Sequence, residues 1–193
     1  MIGSGQQPGD TVTVRDGGEP IGTAIVRDDG SWEFTPTTPL PERDHHFDII
    51  VTDPVGNSSA PSDPWTVVID VTAPLPPVIT QLVDDQGDLT GDIARGDLTD
   101  DARPQINGTA EPDSLIVVSD NGVVIGSTVT RADGGWTLDL DADLTGPNHS
   151  LTAKATDKAG NTGVESDAWD FRLAEGGDAE AQPPVIVSGF DDV

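Results

Sequence analysis

An all-β fold is what this sequence predicts, and three observations carry the prediction. The 193 residues include 22 glycines and 16 prolines, and the apolar stretches between them are short runs rich in Val, Ile and Thr, the residues that suit a pleated surface. Turn-forming triplets, DNG at 120–122 and DGG at 133–135, separate such runs; Asn and Gly tolerate the positive φ that tight hairpins demand. The third observation is that much of the chain is written twice.

The stretch TDPVGNSSAPSDPW at 52–65 returns as TDKAGNTGVESDAW at 156–169. The match runs without a gap from Pro8 on Pro112 to Trp65 on Trp169. Within it Asp16, Gly22, Trp32, His45, Asp53 and Asn57 fall on Asp120, Gly126, Trp136, His149, Asp157 and Asn161. A register of that length indicates two copies of one structural unit. The linker DVTAPLPP, 70–77, is proline-rich and therefore extended and semi-rigid. A second PPVI at 183–186 echoes 76–79, and the tail PPVIVSGFDDV matches PPVITQLVDDQ. Three pieces follow: a repeat lacking its first strand over 1–72, a complete repeat over 73–182, and the opening strand of a third over 183–193.

In the complete repeat the runs predict seven strands, A to G, over 78–83, 105–109, 115–119, 123–130, 136–140, 150–156 and 164–173. Seven short strands in about 100 residues indicate an immunoglobulin-like β-sandwich. Trp32, Trp65, Trp136 and Trp169 are expected in the cores or at their edges.

Charge narrows the function. Thirty-five acids against nine Lys and Arg give a net charge of −26, which repels phosphate and disfavours nucleic acid and anionic membranes as partners. Such acidity is also a signature of disorder, but regular alternating strands and four tryptophans oppose that reading. Without cysteine there are no disulfides or thiolate metal sites. No apolar run reaches 18 residues, so no membrane insertion is expected. The start, MIGSGQQ, lacks the basic and apolar regions of a signal peptide and reads as a fragment boundary.

Antiparallel strands sort the acids between two poles. The connection of A to B, 84–104, carries Asp84, Asp85, Asp88, Asp92, Asp97, Asp100 and Asp101, with Arg95 and Arg103 as its only basic residues. In one reading this is a long, solvated loop pushed apart by its own charge. In the preferred one its acids converge on Ca2+, a hard cation that takes six to eight oxygen ligands; no EF-hand pattern is present. The opposite pole gathers Glu111, Asp113, Asp133 and Asp157, and the linker brings Asp70. Two domains and their linker are thereby expected to share an ion that stiffens the hinge. Alternatively, Asp157 only caps the tight turn of TDKAGN through its own backbone, and the two readings are compatible.

The units GTAEPDSLIVVSDNGVVIGSTVTRADGGWTLD, HSLTAKATDKAGNT and VIDVTAPLPPVIT resemble the tandem bacterial immunoglobulin-like repeats of giant, type I-secreted adhesins of Gram-negative bacteria. The resemblance covers nearly the whole chain. It implies a secreted or cell-surface rod of stacked repeats, with Ca2+ between and within domains, in a protein serving cell adhesion and biofilm formation. By motif the implied ligand carriers are Asp70, Asp84, Asp85, Asp100, Asp101 and Asp157. The second junction, FRLAEGGDAEAQPP, departs from the D-x-T-A-P pattern of the first, which puts its rigidity in question.

Enzymatic activity is not expected. No nucleophile elbow, phosphate loop or His-rich metal motif appears, and a narrow sandwich offers no cleft for a carboxylate pair. His45 and His149 occupy equivalent repeat positions, which points to structure. The expected function is a calcium-stiffened spacer whose partners are neighbouring repeats, with head-to-tail self-association through the orphan strand. The alternative is a module binding a glycan or host protein at one pole.

Overall fold

Strand follows strand without an intervening helix throughout residues 1–4, 6–87 and 90–174, which are those described in the computed structural model. The chain forms two units, Met1–Val71 and the part from Thr72 onward. The expected opening strand of a third repeat, 183–193, lies outside the described residues.

The first unit holds β1 (Ile2–Gly3), β2 (Thr11–Asp16), β3 (Glu19–Ile25), β4 (Trp32–Glu33), β5 (Arg43–Thr52) and β6 (Trp65–Ile69). One sheet has the order β3-β2-β5-β6, and β1 pairs with β4 in the other. Strand β2 alternates strictly: Val12, Val14 and Asp16 are buried while the residues between them are not. That is the period of a strand with one face on a core. Val12, Val14, Val26, Trp32 and Phe34 form this core.

The second unit adds β7 (Val78–Asp84), β8 (Gly91–Asp92) and β9 (Leu98–Thr99), then β10 (Gln105–Thr109), β11 (Leu115–Asp120), β12 (Val123–Val129), β13 (Gly135–Leu138), β14 (Asn148–Thr156) and β15 (Trp169–Leu173). Its sheets run β13-β10-β7-β8 and β12-β11-β14-β15-β9. All neighbours are antiparallel except β15 and β9, which are parallel. Trp136, Leu82, Ile106, Ile116, Leu151 and Phe171 anchor a core filled from both sheets. This is the immunoglobulin-like sandwich expected of the sequence.

The duplication extends to irregularities. The hairpin β2–β3 shifts register between Val14 and Arg15, and β11–β12 does so between Val118 and Ser119, one bulge in two copies. In both units a glycine, Gly3 or Gly108, lies under the tryptophan of the paired strand, Trp32 or Trp136, where any Cβ would collide with the indole.

Three expectations need correction. Strand G is β15, which starts at Trp169, so 164–168 belong to the loop before it. The connection of β7 to β10 is no loose loop: it contributes β8 and β9, and it buries Ile93, Thr99 and Asp101. A third correction concerns Trp65. Trp32 and Trp136 are buried and Trp169 packs against its core, but Trp65 is 74% exposed. Among the described residues the first unit has no counterpart of β7, β8 and β9, the elements that cover the same region of the second.

Candidate functional site

The acids at the β7–β10 pole divide into two groups. Several are occupied with the backbone that carries them. Asp97 accepts from Ala94 N at 3.1 Å, Asp101 Oδ1 from Arg103 N at 2.7 Å, and Asp84 Oδ1 from Gln86 N at 3.1 Å. These are local carboxylate caps that close turns without a hairpin's backbone ladder. Asp92 accepts from Gln81 Nε2 at 2.7 Å across β7 and β8. Asp88 lies outside the described residues.

Asp84 and Asp101 form the second group, because they are also buried, at 4% and 0% exposure. The Thr99 hydroxyl links them: it donates to Asp84 Oδ2 and accepts from Asp101 N. Asp85 N reaches Asp101 Oδ2 at 3.5 Å, and the Asp85 carboxylate accepts from Gln86 Nε2. Asp100 is half-buried, and its carboxylate lies where a Cβ at Gly87 would fall. Burial pushes the Asp101 carboxyl above its ordinary pKa; bonds from Arg103 N and Asp85 N oppose this, while the charges of Asp84 and Asp85 add to it. The loop's two arginines are engaged elsewhere. Arg95 lies over the Trp169 ring at 4.7 Å and donates to Ala168 O, and Arg103 pairs with Asp143 at 3.0 Å.

Four expected ligand carriers therefore share this pole: Asp84, Asp85, Asp100 and Asp101. Their donor set is all oxygen and under-compensated in charge, which fits a hard divalent cation. Among the described residues no three acids or histidines are grouped closely enough to hold an ion as they stand.

The other pole of the second unit is built from the β10–β11, β12–β13 and β14–β15 loops. Asp113, at φ 61°, accepts from Lys158 Nζ at 2.8 Å. Glu111 is exposed, and its carbonyl accepts from Thr130 Oγ1. Asp157 caps the TDKAGN turn: Oδ1 accepts from Asn161 N at 2.8 Å and Oδ2 from Asn161 Nδ2 at 2.9 Å. Burial pushes the Asp157 carboxyl up, but the Asn161 bonds and those from Ala159 and Gly160 outweigh it and hold it below the usual carboxylate range. Asp53 repeats this geometry on Asn57, at 2.8 Å for both bonds. The aspartates of the repeated TDxxGN motif thus build the turn. Asp70 belongs to the first unit, just after β6.

Sequence reasoning missed the Asp–His pair of each unit. His45 Nδ1 lies 2.8 Å from Asp16 Oδ2 and its Nε2 2.9 Å from Pro41 O. His149 repeats this on Asp120 Oδ2 at 2.7 Å and Gly146 O at 2.9 Å. Both rings are buried and stack on a phenylalanine, Phe47 or Phe171. The signal was available: Asp16 and His45 recur together as Asp120 and His149.

Two tandem sandwiches, each with the same turn caps and buried pairs, define a repeat protein of immunoglobulin-like modules. The bacterial Ig-like domain family matches residues 2–71 and again 75–173, and the chain belongs to it. Comparison with curated proteins gives no match. Among solved structures, the fibronectin(III)-like modules of Clostridium thermocellum CbhA are similar at 16% identity, over 88% of this chain and 80% of that one, with a TM-score of 0.45. A tetra-tandem repeat from the extending region of a large adhesion protein is similar at 24% identity over 89% and 44%, TM-score 0.39. The BSP domain of a biofilm-associated protein is similar at 24% over 88% and 26%, TM-score 0.35.

Proposed function

We propose that the chain is a pair of spacer repeats from the stalk of a bacterial surface adhesin, stiffened by Ca2+ and without catalytic activity of its own. One observation carries the reading: the chain uses a single sandwich design twice, down to the same bulge, turn cap and buried Asp–His pair. Reuse of one unit supplies length and stiffness, which a stalk needs and a catalyst does not. The family assignment supports it.

Calcium would be held at one pole of the second unit by Asp84, Asp85, Asp100 and Asp101, and at its other pole by Glu111, Asp113 and Asp157, with Asp70 of the first unit a further carrier. Its contribution is countercharge, which lets crowded carboxylates stay together. Asp113 and Asp157 are already committed to Lys158 and Asn161, so the β7–β10 pole is the better supported of the two. A secreted or cell-surface location follows from this role, since extracellular modules bind at about 10⁻⁴–10⁻³ M, where calcium is abundant outside cells. Glycans or host proteins would be contacted by the full-length protein. Among the described residues no helix is long and apolar enough to cross a membrane.

Calorimetric titration of the whole chain with CaCl2 tests the reading, paired with small-angle scattering before and after EDTA. Saturable binding in that range, with a larger radius of gyration and a lower melting temperature after chelation, is expected. No heat and unchanged scattering would remove calcium from the account.

A further inference from the structure

The two units share a design but differ on the outer face of one sheet. In the first unit, β2 and β5 bring Arg15 opposite Asp48, and the ion pair, at 2.6 Å with side chains only 19% and 15% exposed, occupies the middle of that face. In the second, β11 and β14 hold Ser119 opposite Thr152 at the same positions. These short side chains leave a hollow of about 210 Å³, lined by Val117, Val124, Lys154 and Glu165 among others. Its surroundings are aliphatic. Leu115 and Val124, 43% and 62% exposed, stand where the first unit has Thr11 and Pro20, and the exposed Val129 pairs with Leu115 across the strands.

The edge of the sheet differs in the same sense. β12 ends its sheet as β3 ends the other. β3 opens with Glu19 and Pro20, a charge and a missing N–H, which blunt an edge against further contact. At the same register β12 has Val123 and Val124, and no charged residue follows through Val129. One repeat is thus guarded along this side, and its twin is not.

Charge decides what covers the face. In a chain of net charge −26, the hollow and the strand beside it are neutral: their ionised groups are Lys154 and Glu165, paired at 3.2 Å and 44% and 56% exposed. A cationic partner would be drawn to the acidic surface elsewhere. A face with one Lys beside one Glu is its own complement, because rotation about a two-fold axis can set Lys154 against the partner's Glu165 and the reverse. We infer that the second unit pairs through this outer face with the same face of a second copy of the chain. The contact is isologous and closes at two. It involves neither calcium nor either end of the chain.

Sedimentation equilibrium of the full chain tests this, in EDTA so that no divalent ion bridges the copies. The series reaches about 1 mM, where weak contacts populate, in about 0.15 M NaCl to screen the long-range repulsion. The weight-average mass is expected to rise toward twofold and stop there. Val123→Glu with Val124→Pro gives the second unit the pair that the first already accommodates at that register, and should leave a monomer. Lys154→Glu alone and Glu165→Lys alone should each be monomeric, since each sets like charges against each other across the axis. Mixed in equal amounts, those two variants should associate again, which also shows that both are folded. A native chain that is monomeric throughout overturns the inference. Growth past twofold does so too, because it means an open contact. Association that any of these variants leaves unchanged places the contact on another surface, and a mixture that stays monomeric removes the reciprocal ion pair; either result overturns it.

Discussion

At the scale of single residues, the Asp–His pairs make the clearest demand. Both ring nitrogens of His45 face acceptors, the Asp16 carboxylate and the Pro41 carbonyl. A neutral imidazole has one N–H, so satisfying both requires the imidazolium. The bond to the Pro41 carbonyl, then that to Asp16, raises the His45 pKa against the opposing effect of burial. On Asp16, burial pushes upward, but the bonds from His45 and His46 N and the charge of Arg43, at 2.6 Å, hold the carboxyl below its ordinary value. The signs follow from linkage. The raised His45 contributes stability that is complete below its unfolded pKa of about 6.5 and disappears as pH rises through the higher folded value. The depressed Asp16 contributes stability that is present above about 3.9 and disappears as pH falls through its lower folded value. Thermal melts of the chain should therefore show the first unit most stable between about pH 4 and 6.5, with its midpoint falling from pH 6 to 8. Asp16→Asn should flatten that fall, and a midpoint independent of pH in the native chain would contradict the assignment.

At the scale of elements, the segment from β7 to β10 separates what the sequence shows from what it hides. Alternation and turn triplets place β7 and β10 to β14 to within two or three residues, because a strand with one buried face must alternate. β8 and β9 have two residues each, too short for any period, and their pairing depends on contacts distant in sequence. Gly96 N donates to Asp170 O, Arg172 N to Asp97 O, and Ala174 N to Thr99 O. The charge count suggested a loop driven apart, but a count cannot reveal that Asp97 and Asp101 close turns or that Arg95 covers Trp169. Trp65 misled for the matching reason: its repeat position promises a core, and the covering segment is not in its unit. The acids at the candidate site were legible by type and by pole; which of them are buried was not. If the segment is as integral as its contacts indicate, Ile93→Ala should destabilise the second unit by about 2–4 kcal/mol in urea unfolding. Leu98→Ala, at a residue 48% exposed, should cost no more than about 0.5 kcal/mol. Equal and small losses would mean that the segment is a detachable cover.

At the scale of the whole molecule, 35 acids against nine Lys and Arg raise the question of whether calcium acts at a site or only as a screening atmosphere. The two differ at Asp101. Its carboxyl is raised by burial and by the charges of Asp84 and Asp85, so its ionised form weakens the fold as pH rises through that higher value. Asp101→Asn removes one charge from the crowd and keeps an oxygen for the bond from Arg103 N. In calcium-free buffer at pH 7 the variant should melt at the same temperature as the native chain or higher. A bound ion at a dissociation constant of about 10⁻⁴ M stabilises the native chain by about 1.4 kcal/mol at 1 mM calcium. The variant should lose most of that gain. A diffuse atmosphere predicts the opposite pattern, in which calcium, magnesium and sodium at matched ionic strength raise both proteins alike, because screening depends on the field of the whole surface. A calcium-specific rise in melting temperature that Asp101→Asn abolishes therefore assigns the effect to the β7–β10 pole. An equal rise in both proteins assigns it to the surface as a whole and leaves the buried carboxylates a purely structural role.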